Sequence, residues 1–124
     1  MKLTTILKKG KLTENIVEPS EQILKGAVKA LKIKTGINAQ LTLVKSKPNA
    51  LFYTMDLSKE LRSPILQAVF ATMTLDVTCR DIPSTVGGYA FEISANWTHK
   101  NGGSNGKDIG VIFFENGKYT VRIY

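Results

Sequence analysis

The sequence predicts an α+β domain: a mainly antiparallel sheet with one amphipathic helix over about 20–35 and a second helix over about 63–72. Three observations carry that prediction. Apolar residues recur at helical spacing from Ile23 to Leu31. From Tyr89 to Thr98, Tyr89, Phe91, Ile93, Ala95 and Trp97 alternate with Ala90 and the polar Glu92, Ser94, Asn96 and Thr98, as in a strand with one buried face. Asn116-Gly117 stands between two alternating segments, the strongest short hairpin signal in the chain. A length of 124 residues suits a single domain, 1–124, that can bury a core without a metal or disulfide.

Each element has its own signature. Residues 2–8 and 11–17 read as two short strands around Lys9-Gly10. Ser20 is a good N-cap, with Glu21 in the first turn of the helix that follows. Ile23, Leu24, Ala27, Val28 and Leu31 form its apolar face, and Gly36 is placed to end it in a left-handed conformation. Gly26, inside that helix, costs about 1 kcal/mol relative to alanine and suggests a close approach by a strand or a second subunit. Residues 39–45 and 50–57 form a hairpin around Ser46-Lys47-Pro48-Asn49.

Ser63-Pro64 resembles a helix start, with Ile65, Leu66, Val69, Phe70 and Met73 on one face. Residues 69–79 fit a strand equally well. The β-branched residues after Thr72 place the boundary near that residue, with a strand running to Arg80. Lys100–Asp108 reads as a polar, glycine-rich loop. In the last hairpin, 109–115 and 118–124, the turn sets Glu115 against Lys118, Phe114 against Tyr119 and Ile112 against Val121. That register gathers Ile112, Phe114, Tyr119, Val121 and Ile123 on one face. Ile109, Val111, Phe113 and Tyr124 make the other face partly apolar too. Either a helix or another subunit is therefore expected to cover it; assembly through these strands is the favoured reading, with Phe113 and Tyr124 as candidate interface residues of a homo-oligomer.

Charge is the most informative bulk property because it is unevenly placed. Up to Ala50 there are ten lysines and three glutamates, whereas from Leu51 onward seven basic and seven acidic residues balance. The whole net charge of +7 thus belongs to the first two-fifths of the chain. Lys25, Lys29 and Lys32 fall at i, i+4 and i+7, on one stripe of the first helix. These features point to non-catalytic binding of an anionic ligand, either nucleic acid or a phosphorylated nucleotide. Arg62, Arg80 and Arg122 supply guanidinium forks suited to phosphate. Asn105 and Lys107 lie in a glycine-rich stretch whose backbone N–H groups could cradle an anion. That stretch departs from a phosphate-binding loop: its glycine spacing is one residue short and Asp108 replaces serine or threonine.

Catalysis finds little support. One histidine, His99, and one cysteine, Cys79, exclude a metal site built from several such ligands. Cys79 falls on the apolar side of its strand, as a buried, inert thiol does. Asp56, Asp76 and Glu92 are the carboxylates a small hydrolase or nuclease would draw on, but no lysine follows Glu92 at the spacing many nucleases use. No cofactor is expected. The alternative reading is a protein-interaction module or inhibitor, of the kind a phage or other mobile element encodes, acting on a protein target through the apolar strand face. No apolar run reaches the length of a membrane span, and the N-terminal MKLTTILKKGK lacks a signal peptide's apolar stretch. The expected setting is cytoplasmic.

Overall fold

The computed structural model describes residues 16–57 and 69–124. The first expected hairpin therefore lies almost wholly outside the described residues, and so do Arg62 and residues 63–68 of the second helix. The described elements are α1 (Glu21–Thr35), β1 (Thr42–Lys47), β2 (Ala50–Asp56), β3 (Phe70–Asp81), β4 (Tyr89–His99), β5 (Ser104–Glu115) and β6 (Lys118–Ile123). The six strands form one antiparallel sheet in sequence order, a meander, with α1 packed on one side.

The helix begins and ends where its caps dictate. Ser20 Oγ accepts the Ile23 N–H at 3.2 Å, and Gly36 sits at φ 79° with its N–H on the Lys32 carbonyl at 2.8 Å. The apolar face from Ile23 to Leu31 turns inward, with Ala27 and Leu31 fully buried. Beneath it, alternate residues of the central strands form the core. Leu51 and Tyr53 come from β2, Leu75, Val77 and Cys79 from β3, Phe91 and Ile93 from β4, and Ile112 from β5. Burying side chains as large as Phe91, Leu31 and Leu75 stabilises the fold by roughly 1.5–3 kcal/mol each.

Two expectations require correction. Strand β3 starts at Phe70, so residues 70–72 are strand rather than the end of a second helix. The alternation of 69–79 prevails because the neighbouring strands offer partners for it. Leu75 pairs with Met55 on one side and Ala95 on the other, and the ladder to β4 continues to Phe70 opposite His99. Likewise, Lys100–Asp108 is not an open loop. Strand β5 begins at Ser104 and pairs with the polar end of β4, with Thr98 against Ser104 and Asn96 against Gly106. Only four residues connect the strands, closed by His99 N–H to the Gly103 carbonyl at 2.7 Å and Gly102 N–H to the His99 carbonyl at 3.0 Å. Gly102, at φ 108°, supplies the backbone conformation that this tight connection needs.

The last hairpin has the expected register: Glu115 faces Lys118, Phe114 faces Tyr119 and Ile112 faces Val121. Asn116 and Gly117 take φ 52° and 76°, the pair of positive values that a type I′ turn requires. The helix covers one face of this hairpin. Gly26 is the point of closest approach: a Cβ there would stand 2.1 Å from the Tyr119 hydroxyl. That hydroxyl donates to the Ile23 carbonyl at 2.8 Å, tying β6 to the first turn of α1.

Candidate anion-binding surface

The solvent side of α1 carries Lys25, Lys29 and Lys32, all exposed, as their spacing requires. The stripe runs about 10 Å along the helix axis at 1.5 Å per residue. Glu21 closes its N-terminal end, where it forms an ion pair with Lys25 at 2.8 Å. The pair holds the Glu21 carboxyl below its ordinary range and the Lys25 ammonium above its own, through the hydrogen bond first and the charge second. Among the described residues, Lys29 and Lys32 have no acidic partner. Beside the stripe a groove of about 360 Å³ separates α1 from the segment leading into β1. Leu24, Val28 and Leu41 line its floor, and Lys25 stands at its rim.

The sheet face that no described element covers, here the uncovered face, has a different character. Its basic residues, Lys45, Lys47, Arg80, Lys118 and Arg122, are interleaved with Asp56, Asp76, Glu92, Asp108 and Glu115, so its formal charges cancel. Several are already engaged. Arg80 Nε donates to Glu92 at 3.1 Å, Thr85 Oγ1 donates to Glu115 at 2.8 Å, and the Lys47 ammonium sits 5.8 Å from the centre of the Phe52 ring. Asp76 accepts from Thr54 at 2.6 Å, from Thr74 at 3.2 Å and from the Asn96 amide. Asp76, Glu92 and Glu115 are thus engaged in hydrogen bonds within the fold, and no group of three or more His, Cys, Asp or Glu among the described residues could hold a metal ion.

The remaining candidates are dispersed. Arg122 lies on the same sheet face as Arg80 but three strands away, with β4 and β5 between them. Asn105 stands within 3.3 Å of the His99 ring nitrogen at the far tip of the β4–β5 hairpin, and Lys107 is exposed on the same strand. Their segment belongs to a ladder rather than a cradle, so the expected anion-binding loop there lacks its backbone basis. Phe113 is half-buried on the outer face and Tyr124 is 69% exposed. The structure thus unites Lys25, Lys29 and Lys32, sets Arg80 and Arg122 on the opposite side of the sheet from α1, and leaves Asn105 and Lys107 at one end.

Cys79 and His99 are kept apart. Cys79 pairs with Phe91, eight residues from His99 along β4, a separation of about 26 Å at strand spacing. Cys79 is fully buried, and burial pushes its thiol up to about 12, so it holds its proton and is inert as a nucleophile. Burial also pushes the neighbouring Tyr53 hydroxyl up to about 12. Sequence reasoning missed the network around Asp76. Its signal was present, since Thr54, Thr74 and Asn96 share the polar phase of three successive strands, but the register that joins them is set only in three dimensions.

Among the described residues, no helix is long and apolar enough to cross a membrane. The chain matches no protein-family model, no curated protein and no solved structure.

Proposed function

We propose that this chain is a non-catalytic binder of a polyanion, of which nucleic acid is the best fit, and that the ligand lies along the exposed stripe of α1. One contrast carries the reading: the uncovered sheet face is charge-balanced, whereas α1 presents Lys25, Lys29 and Lys32 with Glu21 as the one acid of the helix. An elongated row of ammonium groups suits successive phosphates better than a single nucleotide. Of the arginines that would clamp one phosphate, Arg80 and Arg122 stand apart from it, with Arg80 held by Glu92. Displacing counterions at three phosphates gives a salt slope of about −2 to −3, and hence a roughly 20- to 40-fold loss of affinity between 50 and 200 mM salt.

The test is fluorescence anisotropy with labelled single- and double-stranded oligonucleotides across a salt series. Reversing Lys29 and Lys32 to glutamate should weaken binding on every sequence and lower the slope by about one for each lysine removed. Because both side chains are exposed, the variant should melt like the parent. Salt-independent binding, or unchanged binding by the reversed variant, would refute the proposal.

A further inference from the structure

The two edges of the sheet are unlike each other. Strand β1 is blunted: its register shifts between Leu43 and Lys45, and it carries Lys45 and Lys47. A bulge and charged side chains are what keep an edge from recruiting another strand. Strand β6 also carries charged side chains, Lys118 and Arg122, but it has no bulge. Its ladder with β5 runs without a shift from Glu115–Lys118 to Gly110–Ile123, and no described segment pairs with its other side.

The phase of the ladder fixes which backbone groups face outward. A two-residue turn makes Glu115 and Lys118 a hydrogen-bonded pair, and such pairs recur at every second position. Tyr124 N–H reaches the Ile109 carbonyl at 3.0 Å, in the same phase. The N–H and C=O groups of Tyr119, Val121 and Ile123 therefore point away from β5. Ile123 is 44% exposed and Tyr124 69%.

We infer that β6 pairs antiparallel with β6 of a second copy about a two-fold axis through Val121, joining two sheets into one. This register is the one the side chains favour. Val121 meets its own copy, and Tyr119 meets the partner's Ile123, so the outward backbone groups of all three residues are satisfied and their apolar side chains stay on the helix side. On the opposite face Thr120 stands against the partner's Arg122 and Lys118 against the partner's Tyr124. No like charges oppose each other, and an ammonium meets an aromatic ring. The pairing would also set both α1 helices, which pack over the β5–β6 hairpin, on one side of the joined sheet. The inference concerns the strand edge alone and does not depend on the anion-binding reading.

Sedimentation velocity over a concentration series, with native mass spectrometry for stoichiometry, reads the association directly. The parent should dimerise at or below about 0.1 mM. Thr120 is exposed, so its substitution spares the core. Thr120→Arg sets an arginine against the partner's Arg122 on each side of the axis, two repulsive pairs in all, and should weaken the dimer by about 2- to 30-fold. Thr120→Glu forms two attractive pairs and should tighten it by a similar factor. Val121→Pro removes an N–H that β5 does not use and should abolish dimerisation while the far-UV circular dichroism persists. Should Val121→Pro fail to fold, the opposed responses of the Thr120 variants still decide. A parent that stays monomeric to about 0.1 mM, or a dimer equally strong with arginine and glutamate at 120, would overturn the inference.

Discussion

Replacing Gly26 by alanine tests how α1 is seated on the sheet. In an isolated helix the change would help, since alanine is favoured over glycine by about 1 kcal/mol. Here the new methyl would lie 2.1 Å from the Tyr119 hydroxyl oxygen, 2.5 Å from Cζ and 2.8 Å from Cε2. Those atoms belong to a half-buried ring, packed against Phe114 with centroids 4.8 Å apart, whose hydroxyl is bound to the Ile23 carbonyl. Either the ring or the helix must move. Overpacking of this kind costs about 1–3 kcal/mol, and losing the hydrogen bond costs about 1 kcal/mol more. Against a propensity gain of about 1 kcal/mol, the net expectation is a destabilisation of about 1–3 kcal/mol. For a chain of this length that is a fall in Tm of roughly 4–12 °C. Urea unfolding of Gly26→Ala, Tyr119→Leu and the double variant measures it. The two changes should be strongly non-additive, with much of the cost of Gly26→Ala relieved once the ring is gone. A Gly26→Ala variant more stable than the parent would refute the packing of α1 against β6.

Stability should fall as pH rises through the alkaline range. The Cys79 thiol and the Tyr53 hydroxyl are both pushed up to about 12 by burial, so the folded state keeps protons that the unfolded state releases from about 9 and 10. The unfolded chain then binds fewer protons than the native one, and stability drops by up to about 1.4 kcal/mol per pH unit for each group. Urea midpoints should decline between pH 9 and 12, and Cys79→Ala should flatten the first part of that decline; a flat profile to pH 11 would contradict the burial of these groups. Asp76→Ala should cost about 1–3 kcal/mol by leaving Thr54, Thr74 and Asn96 without their shared acceptor, and urea unfolding reads it directly. An unchanged midpoint would mean that water replaces the carboxylate on this face.

Where local chemistry decides the outcome, the sequence was enough. Ser20 and Gly36 bound α1 because capping involves only neighbouring residues. Asn116-Gly117 dictated the last hairpin and its register because few other dipeptides hold two positive φ values in succession. The start of β3 was ambiguous because residues 69–73 satisfy both periods at once, and a ladder with β4 resolves such a tie where propensity does not. Lys100–Asp108 looked like a loop because polarity marks loops on average. A strand at the polar end of a hairpin has the same composition, and its pairing is enforced by β4 rather than by its own residues.

The candidate site shows a different limit. Charge counted along the chain implied a positive surface built from the first two-fifths, but folding redistributes that charge. Lys45 and Lys47 fall on the uncovered sheet face, where β2 and β3 bring Asp56 and Asp76 and the nearby Phe52 ring engages Lys47. Their contribution is offset there, whereas the helix lysines project from an element with a single acid. Spacing located this stripe better than net charge did, because i, i+4 and i+7 fix a shared direction while a sum over residues fixes none. If the stripe is the binding surface, charge reversal at Lys45 and Lys47 should lower affinity far less than reversal at Lys29 and Lys32. That difference separates a directed contact on α1 from a general attraction set by the total charge of the protein.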